Sequence, residues 1–212
     1  MNNKNRVIEI IKIFDEIYKT ADCTLDYKNA LQLLVSTQLS AQCTDARVNV
    51  VSKELFMKYK SVYDFANSDL KELEQDIKST GFYHNKAKNI KETSRLLIEN
   101  FDGIVPDNLE DLLTLPGVGR KTANLVLAEI YGIPGIVVDT HAKRLSNRIG
   151  LSNSSDPVKI EFDLMKIVPE ENWSRFCHQL VYHGRAVCNA RKPDCNNCRI
   201  KDYCDYGKEH LK

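Results

Sequence analysis

Four of the seven cysteines crowd the end of the chain, at Cys188, Cys195, Cys198 and Cys204, separated by six, two and five residues. Four thiols so close in sequence can wrap one centre, and both zinc and an iron-sulfur cluster accept four thiolates. The spacing lacks the paired Cys-x-x-Cys of zinc ribbons, and residue chemistry alone leaves both metals open. An odd cysteine count, with no signal-peptide stretch between Met1 and Thr20, argues against a disulfide framework. Cys23, Cys43 and Cys177 fall outside the cluster and read as small core residues.

A second candidate lies at Leu115-Pro116-Gly117-Val118-Gly119-Arg120-Lys121-Thr122. Two glycines two residues apart let the backbone turn tightly and bring its amides close to another molecule. Amides at a helix start, with the positive end of the helix dipole, make an anion site where a nucleic-acid phosphate docks without any base being read. The same residues also suit a plain helix-to-helix turn. Lys121 falls in the first turn of a segment that is apolar nearly all round from Ala123 to Ile130. There the dipole and desolvation both disfavour the ammonium, which favours a nucleophilic amine; the plainer reading is a solvated lysine at a helix end.

Asp139 follows 18 positions after Lys121. A helix over 120–131 spans about 17 Å and the extended residues 132–138 can return about 23 Å, so the chain is long enough to bring Asp139 back beside Lys121. Asp139 also reads as the cap of a helix over 140–148. The roles are compatible, because a capping carboxylate stays ionised and can stabilise a developing cation or orient the amine.

The elements that must carry these residues are helical. Residues 4–19 place Val7, Ile8, Ile11 and Phe14 at helical spacing, and 44–59 reads as a helix capped by Thr44. Residues 86–100 put Ala87, Ile90, Ser94, Leu97 and Ile98 on one face; Asp107 caps a short helix through Thr114, and 162–167 and 171–187 add two more. Strand signals are almost absent, and Gly and Pro fall between these segments. The pattern predicts an all-α protein of two lobes, hinged near Gly132-Ile133-Pro134-Gly135.

In total, 30 Lys and Arg face 29 Asp and Glu among 212 residues, a net charge of +1, with 42% hydrophobic residues. That balance is globular and excludes a disordered charged tail. The most apolar region, 123–138, is interrupted by Glu129, Gly132, Pro134 and Gly135, short of the roughly 18 apolar residues that a spanning helix needs. We expect no membrane partner and an intracellular protein of the cytoplasm or nucleoid. The near-neutral total is unevenly placed. Residues 115–150 and 183–204 each hold five cations against two carboxylates, +3 apiece, leaving −5 elsewhere. Two basic runs flanking an anion-type turn favour a phosphate-binding surface.

With these residues assembled, the chain resembles the endonuclease III family of helix-hairpin-helix DNA glycosylases. The resemblance runs nearly end to end, through Leu115 to Lys121, Val138-Asp139-Thr140-His141, His183-Gly184-Arg185 and the four-cysteine spacing. It implies two α-helical domains. One, residues 22–132, is a six-helix bundle ending in the hairpin; the other joins 1–21 to 133–212 and holds one 4Fe-4S cluster on Cys188, Cys195, Cys198 and Cys204. It further implies that Lys121 is the nucleophile and Asp139 its essential carboxylate, and that the target is an oxidised pyrimidine or abasic site in double-stranded DNA, bound by a monomer. Gln42, in Ser40-Ala41-Gln42, matches the residue that fills the vacated position, and Phe82, in Gly81-Phe82-Tyr83, a second wedge where leucine is familiar. The hairpin's Gly117, Gly119 and Arg120 and the loop's Arg191 and Lys192 would hold the DNA backbone. Lys121 favours combined glycosylase and lyase chemistry, since mismatch glycosylases of similar sequence lack lysine there. The alternatives are a monofunctional mismatch glycosylase, a non-catalytic DNA-binding module and a zinc-stabilised structural protein.

Overall fold

Capping side chains mark where most of the helices begin. The computed structural model describes residues 2–210, which form α1 (Asn3–Ile17), α2 (Ala30–Leu39), α3 (Asp45–Lys58), α4 (Val62–Asn67), α5 (Leu70–Asp76), α6 (Tyr83–Phe101), α7 (Leu109–Thr114), α8 (Arg120–Tyr131), α9 (Thr140–Ile149), α10 (Pro157–Met165), α11 (Trp173–Ala186) and α12 (Asp205–His210). Short 3₁₀ turns lie at Lys78–Thr80, Glu170–Asn172 and Lys201–Tyr203. No strand occurs among the described residues, so the protein is all-α as its pattern predicts. None of the described helices is long and apolar enough to cross a membrane.

The chain divides into two compact units, Cys23–Ile133 and Met1–Asp22 with Pro134–Lys212. At the division Gly132 ends α8 with φ 65°, its amide bonded to the Leu127 carbonyl. Glycine adopts this left-handed conformation without the Cβ penalty, and Pro134 stops the helix from resuming.

The unit Cys23–Ile133 holds α2 to α8 around a core that includes Leu33, Leu34, Phe65, Leu73, Ile90, Leu97 and Leu112, all without solvent exposure. Each such side chain contributes about 1.5–3 kcal/mol by its burial. Seven segments stand where six are expected, because Ser61 and Asp69 each accept a bond from an amide three residues on and start separate helices, α4 and α5. Helix α6 presents Ala87, Ile90, Ser94 and Leu97 inward, together with Lys86 and Thr93.

In the other unit, α1 buries Val7, Ile10, Ile11 and Phe14, and Phe14 stacks with Phe176 of α11 at 6.1 Å between ring centres. Ile8, expected on that stripe, is exposed, because the buried face is centred on Ile10 and Ile11. Three other boundaries differ from expectation. Asn108, not Asp107, caps α7; the helix expected over 162–167 begins at Pro157 behind the Asp156 cap and ends at Met165; and α11 starts only at Trp173, after a 3₁₀ turn.

Candidate active site and cysteine loop

Helices α7 and α8 form a hairpin whose turn, Leu115 to Gly119, is held from both sides. Leu115 and Val118 are buried in the core of their unit. The Pro116 carbonyl accepts from Gln38 Nε2 at 2.8 Å and from Thr93 Oγ1 at 3.0 Å. Gly117 has φ 74°, a left-handed conformation that favours glycine, and a Cβ there would stand 2.6 Å from Asn89 Nδ2 and force that side chain to move. Gly119 is different. Its φ of −100° suits any residue, and a Cβ would meet nothing within 4 Å. Nothing within the chain requires glycine there; its lack of a side chain leaves the start of α8 open to an approaching molecule.

No side chain caps α8. The first helical bond runs from the Ala123 amide to the Gly119 carbonyl at 2.9 Å, so the residues before Ala123 stand at the positive end of the helix dipole. Arg120 is half-buried and Lys121 exposed at this end. The apolar residues that follow, Ala123 and Leu125 to Leu127, are buried away from Lys121 rather than around it. Its exposure agrees with the plainer of the two sequence readings, a solvated lysine at a helix end.

Two other expected contacts lie in the same unit, and both are strained. Gln42 (φ 54°) and Phe82 (φ 49°) occupy the left-handed region, where a non-glycine residue costs on the order of 1–3 kcal/mol. Both are exposed, Phe82 at 63%. An exposed aromatic in a strained backbone has no packing reason for its place.

Asp139 belongs to the other unit, where it caps α9. Its Oδ1 accepts from the Ala142 amide at 2.7 Å, and the residue is only half-buried. One carboxylate oxygen is thus held while the group keeps access to solvent.

In that unit the cysteine loop is stapled by arginines of α9. Arg148 donates to the Asn189 and Ala190 carbonyls at 2.8 and 2.7 Å, approaches Cys188 Sγ at 3.3 Å, and lies over the Tyr206 ring. Arg144 donates to the Gly184 and Cys188 carbonyls. A Cβ on Gly184 would stand 2.6 Å from His141 Nδ1, so this glycine lets α11 close on α9. Two of the cations counted toward a basic surface are thereby engaged inside the protein. Arg191 and Lys192 remain exposed.

Cys188, Cys195, Cys198 and Cys204 line one recess with Leu145 and Ile149. All are free thiols. Burial first, and then the nearness of Cys204, Cys188 and Cys195, pushes the Cys198 thiol up to about 11. Four thiolates there need a cation to coexist, since a bound metal reverses this preference. Beside them, burial pushes His183 down to about 4, leaving a neutral imidazole between the Tyr18 hydroxyl and Cys198 Sγ.

Residues 35–170 match the HhH-GPD superfamily of base excision DNA repair proteins. The chain is 52% identical to endonuclease III of Synechocystis sp. over 204 residues, 96% of this chain and 93% of that protein. It is 46% identical to endonuclease III of Bacillus subtilis over 198 residues, 93% and 90% of the two chains. The chain belongs to the endonuclease III family. Its structure is similar to that of a trapped endonuclease III-DNA covalent intermediate, with a TM-score of 0.95 and 41% identity over 100% of both chains.

Within this endonuclease III fold, residues with no marked role in the sequence prove to shape the hairpin. Gln38, Thr93 and Asn89 anchor the turn or pack under Gly117. For Gln38 and Thr93 the sequence signal is polarity on a buried face: Gln38 lies within the run Leu33 to Leu39, buried throughout, and Thr93 interrupts the apolar stripe of α6.

Proposed function

We propose that Lys121 is the nucleophile and Asp139 the essential carboxylate of this enzyme. The protein is a bifunctional DNA glycosylase and AP lyase of base excision repair. Its substrates are oxidised or ring-saturated pyrimidines and abasic sites in double-stranded DNA, and it acts as a monomer. The observation that carries this reading is an exposed first-turn lysine on an uncapped, glycine-started helix, in a chain matching the full length of a relative trapped covalently on DNA.

The damaged nucleotide leaves the stack, and Gln42 and Phe82 occupy the space it vacates. Gly117, Gly119 and Arg120 receive backbone phosphate at the start of α8, while Arg191 and Lys192 extend the contact from the cysteine loop. With the substrate excluding water, the Lys121 amine attacks C1′, the bond from C1′ to the base breaks, and the base departs with the electron pair. Asp139 stabilises the positive charge that develops on the sugar. The amine then loses a proton and the C1′–O4′ bond breaks, opening the sugar to a Schiff base with O4′ taking up a proton; the Schiff base acidifies the 2′ position, and loss of that proton expels the 3′ phosphate by β-elimination.

The same reading assigns residues 22–132 to a hairpin domain and 1–21 with 133–212 to a cluster domain. Cys188, Cys195, Cys198 and Cys204 hold one 4Fe-4S cluster, a reading supported by the single recess that the four thiols line and by the match to the endonuclease III family. When bound, the cluster supplies a cross-link among four thiolates that shapes the loop.

Borohydride reduction during incubation with thymine-glycol duplex decides the chemistry. Wild type is expected to leave a covalent protein-DNA adduct, and Lys121→Gln to lower its yield by at least about a thousandfold. DNA binding without an adduct would leave a non-catalytic module; base release without an adduct or strand cleavage would leave a monofunctional glycosylase.

A further inference from the structure

Lys86 is 5% exposed, and it is a lysine on the buried face of α6. Its ammonium donates to the Leu39 carbonyl at 2.8 Å and to the Thr80 carbonyl at 2.9 Å. No carboxylate pairs with it among the described residues, so the carbonyls that end α2 and the 3₁₀ turn Lys78–Thr80 compensate its charge. A cation is favoured at such helix ends, whose last carbonyls lack partners of their own.

The position of those two carbonyls gives the lysine its purpose. Leu39 stands three residues before Gln42, and Thr80 stands two before Phe82. Only three non-glycine residues have positive φ among those described, and these two are the pair whose loops meet at Lys86. Both are exposed, and both are strained. The Lys86 amide also donates to the Phe82 carbonyl at 3.2 Å, the first helical bond of α6. An apolar side chain would fill the same space without the cost of burying a charge. It would not tie two loops 40 residues apart to one atom.

We propose that Lys86 is a positioning residue, a clamp whose ammonium fixes the Leu39 and Thr80 carbonyls so that Gln42 and Phe82 enter the base stack as one preset unit. This rests on the reading above that those two side chains occupy the duplex. Held by one atom, the two loops do not have to be ordered separately at the moment the damaged nucleotide leaves. Loss of the clamp lets each drift, and drift on the scale of an ångström is costly for a preorganised contact. The effect is confined to substrates that have a stack and a facing base.

Lys86→Met keeps the length and volume of the side chain and removes its donors. Single-turnover removal of thymine glycol from duplex is expected to fall by about ten- to a hundredfold, while borohydride trapping on a single-stranded abasic oligonucleotide changes by less than about twofold. Parallel losses on both substrates would make the lysine merely structural and overturn the proposal, as would no loss on either. Should Lys86→Met not fold, Lys86→Leu, which also lacks donors, must show the same split; failure of both to fold, seen as lost helical circular dichroism, overturns it as well. Wild type that forms no adduct defeats the lyase reading instead. The clamp is then judged by 2-aminopurine fluorescence beside the lesion in duplex, which must rise with wild type and not with the variant.

Discussion

Helices α8 and α9 begin 20 residues apart in sequence, one in each unit, and their first turns are treated in opposite ways. At α9 the chain supplies its own anion: Asp139 binds the Ala142 amide and stays at the positive end of the dipole. At α8 the cap position is Gly119, no side chain reaches the amides, and the space where one would stand is empty. The same dipole thus meets a carboxylate of the chain itself in one place and no side chain in the other. The cations divide along similar lines. Arg144 and Arg148 of α9 are bound to loop carbonyls, whereas Lys121, Arg191 and Lys192 are exposed. Net charge along the sequence does not separate a cation that binds DNA from one that braces a loop; hydrogen-bond partners do.

The largest effect should come from splitting the two properties of Asp139. Asp139→Asn preserves the cap, so the melting temperature should barely move, while base removal falls by about a hundredfold or more through loss of the charge. Asp139→Ala should lose about 1 kcal/mol of stability as well, measured by denaturant unfolding. An equal loss of stability in the Asn variant would mean that the carboxylate serves the fold rather than the reaction.

Next come the engaged and exposed arginines. Arg148→Ala removes a charged donor from the Asn189 and Ala190 carbonyls, at a cost of about 1.5–3 kcal/mol, and should lower iron content per chain. Arg191→Ala should leave iron and stability unchanged and reduce the salt dependence of DNA binding by about one phosphate contact. Matching behaviour of the two variants would erase the division.

The smallest and most pointed change makes α8 resemble α9. Gly119→Ser fits without a clash and caps the helix, raising stability by a few tenths of a kcal/mol. Its hydroxyl occupies the amides that a phosphate would take, so DNA affinity should drop as stability rises. Unchanged affinity would show that the open helix start is not used.

What could be read from the sequence was local. Thr44 does accept from the Arg47 amide at the start of α3, and α8 begins where its glycine turn indicates. Asn108 and Asp107 are neighbours of nearly equal capping tendency, and local propensity does not choose between them. No apolar period marks α2 in the sequence, because Leu33 to Leu39 are all buried, polar residues included. Composition alone left two environments open to Lys121, and the structure chooses the exposed one because the buried face of α8 begins only at Ala123.

By itself the sequence determined the helical class, the turn at Gly117, the capping role open to Asp139 and the grouping of four cysteines, because each depends on residues close together in the chain. The tertiary structure decided what distant partners do to a side chain. It engaged Arg144 and Arg148 with carbonyls some 40 residues away, and it buried Lys86 between the ends of two other segments. Spacing cannot report such assignments, because whether a polar group is satisfied, strained or free depends on which backbone atoms the fold brings within hydrogen-bonding distance.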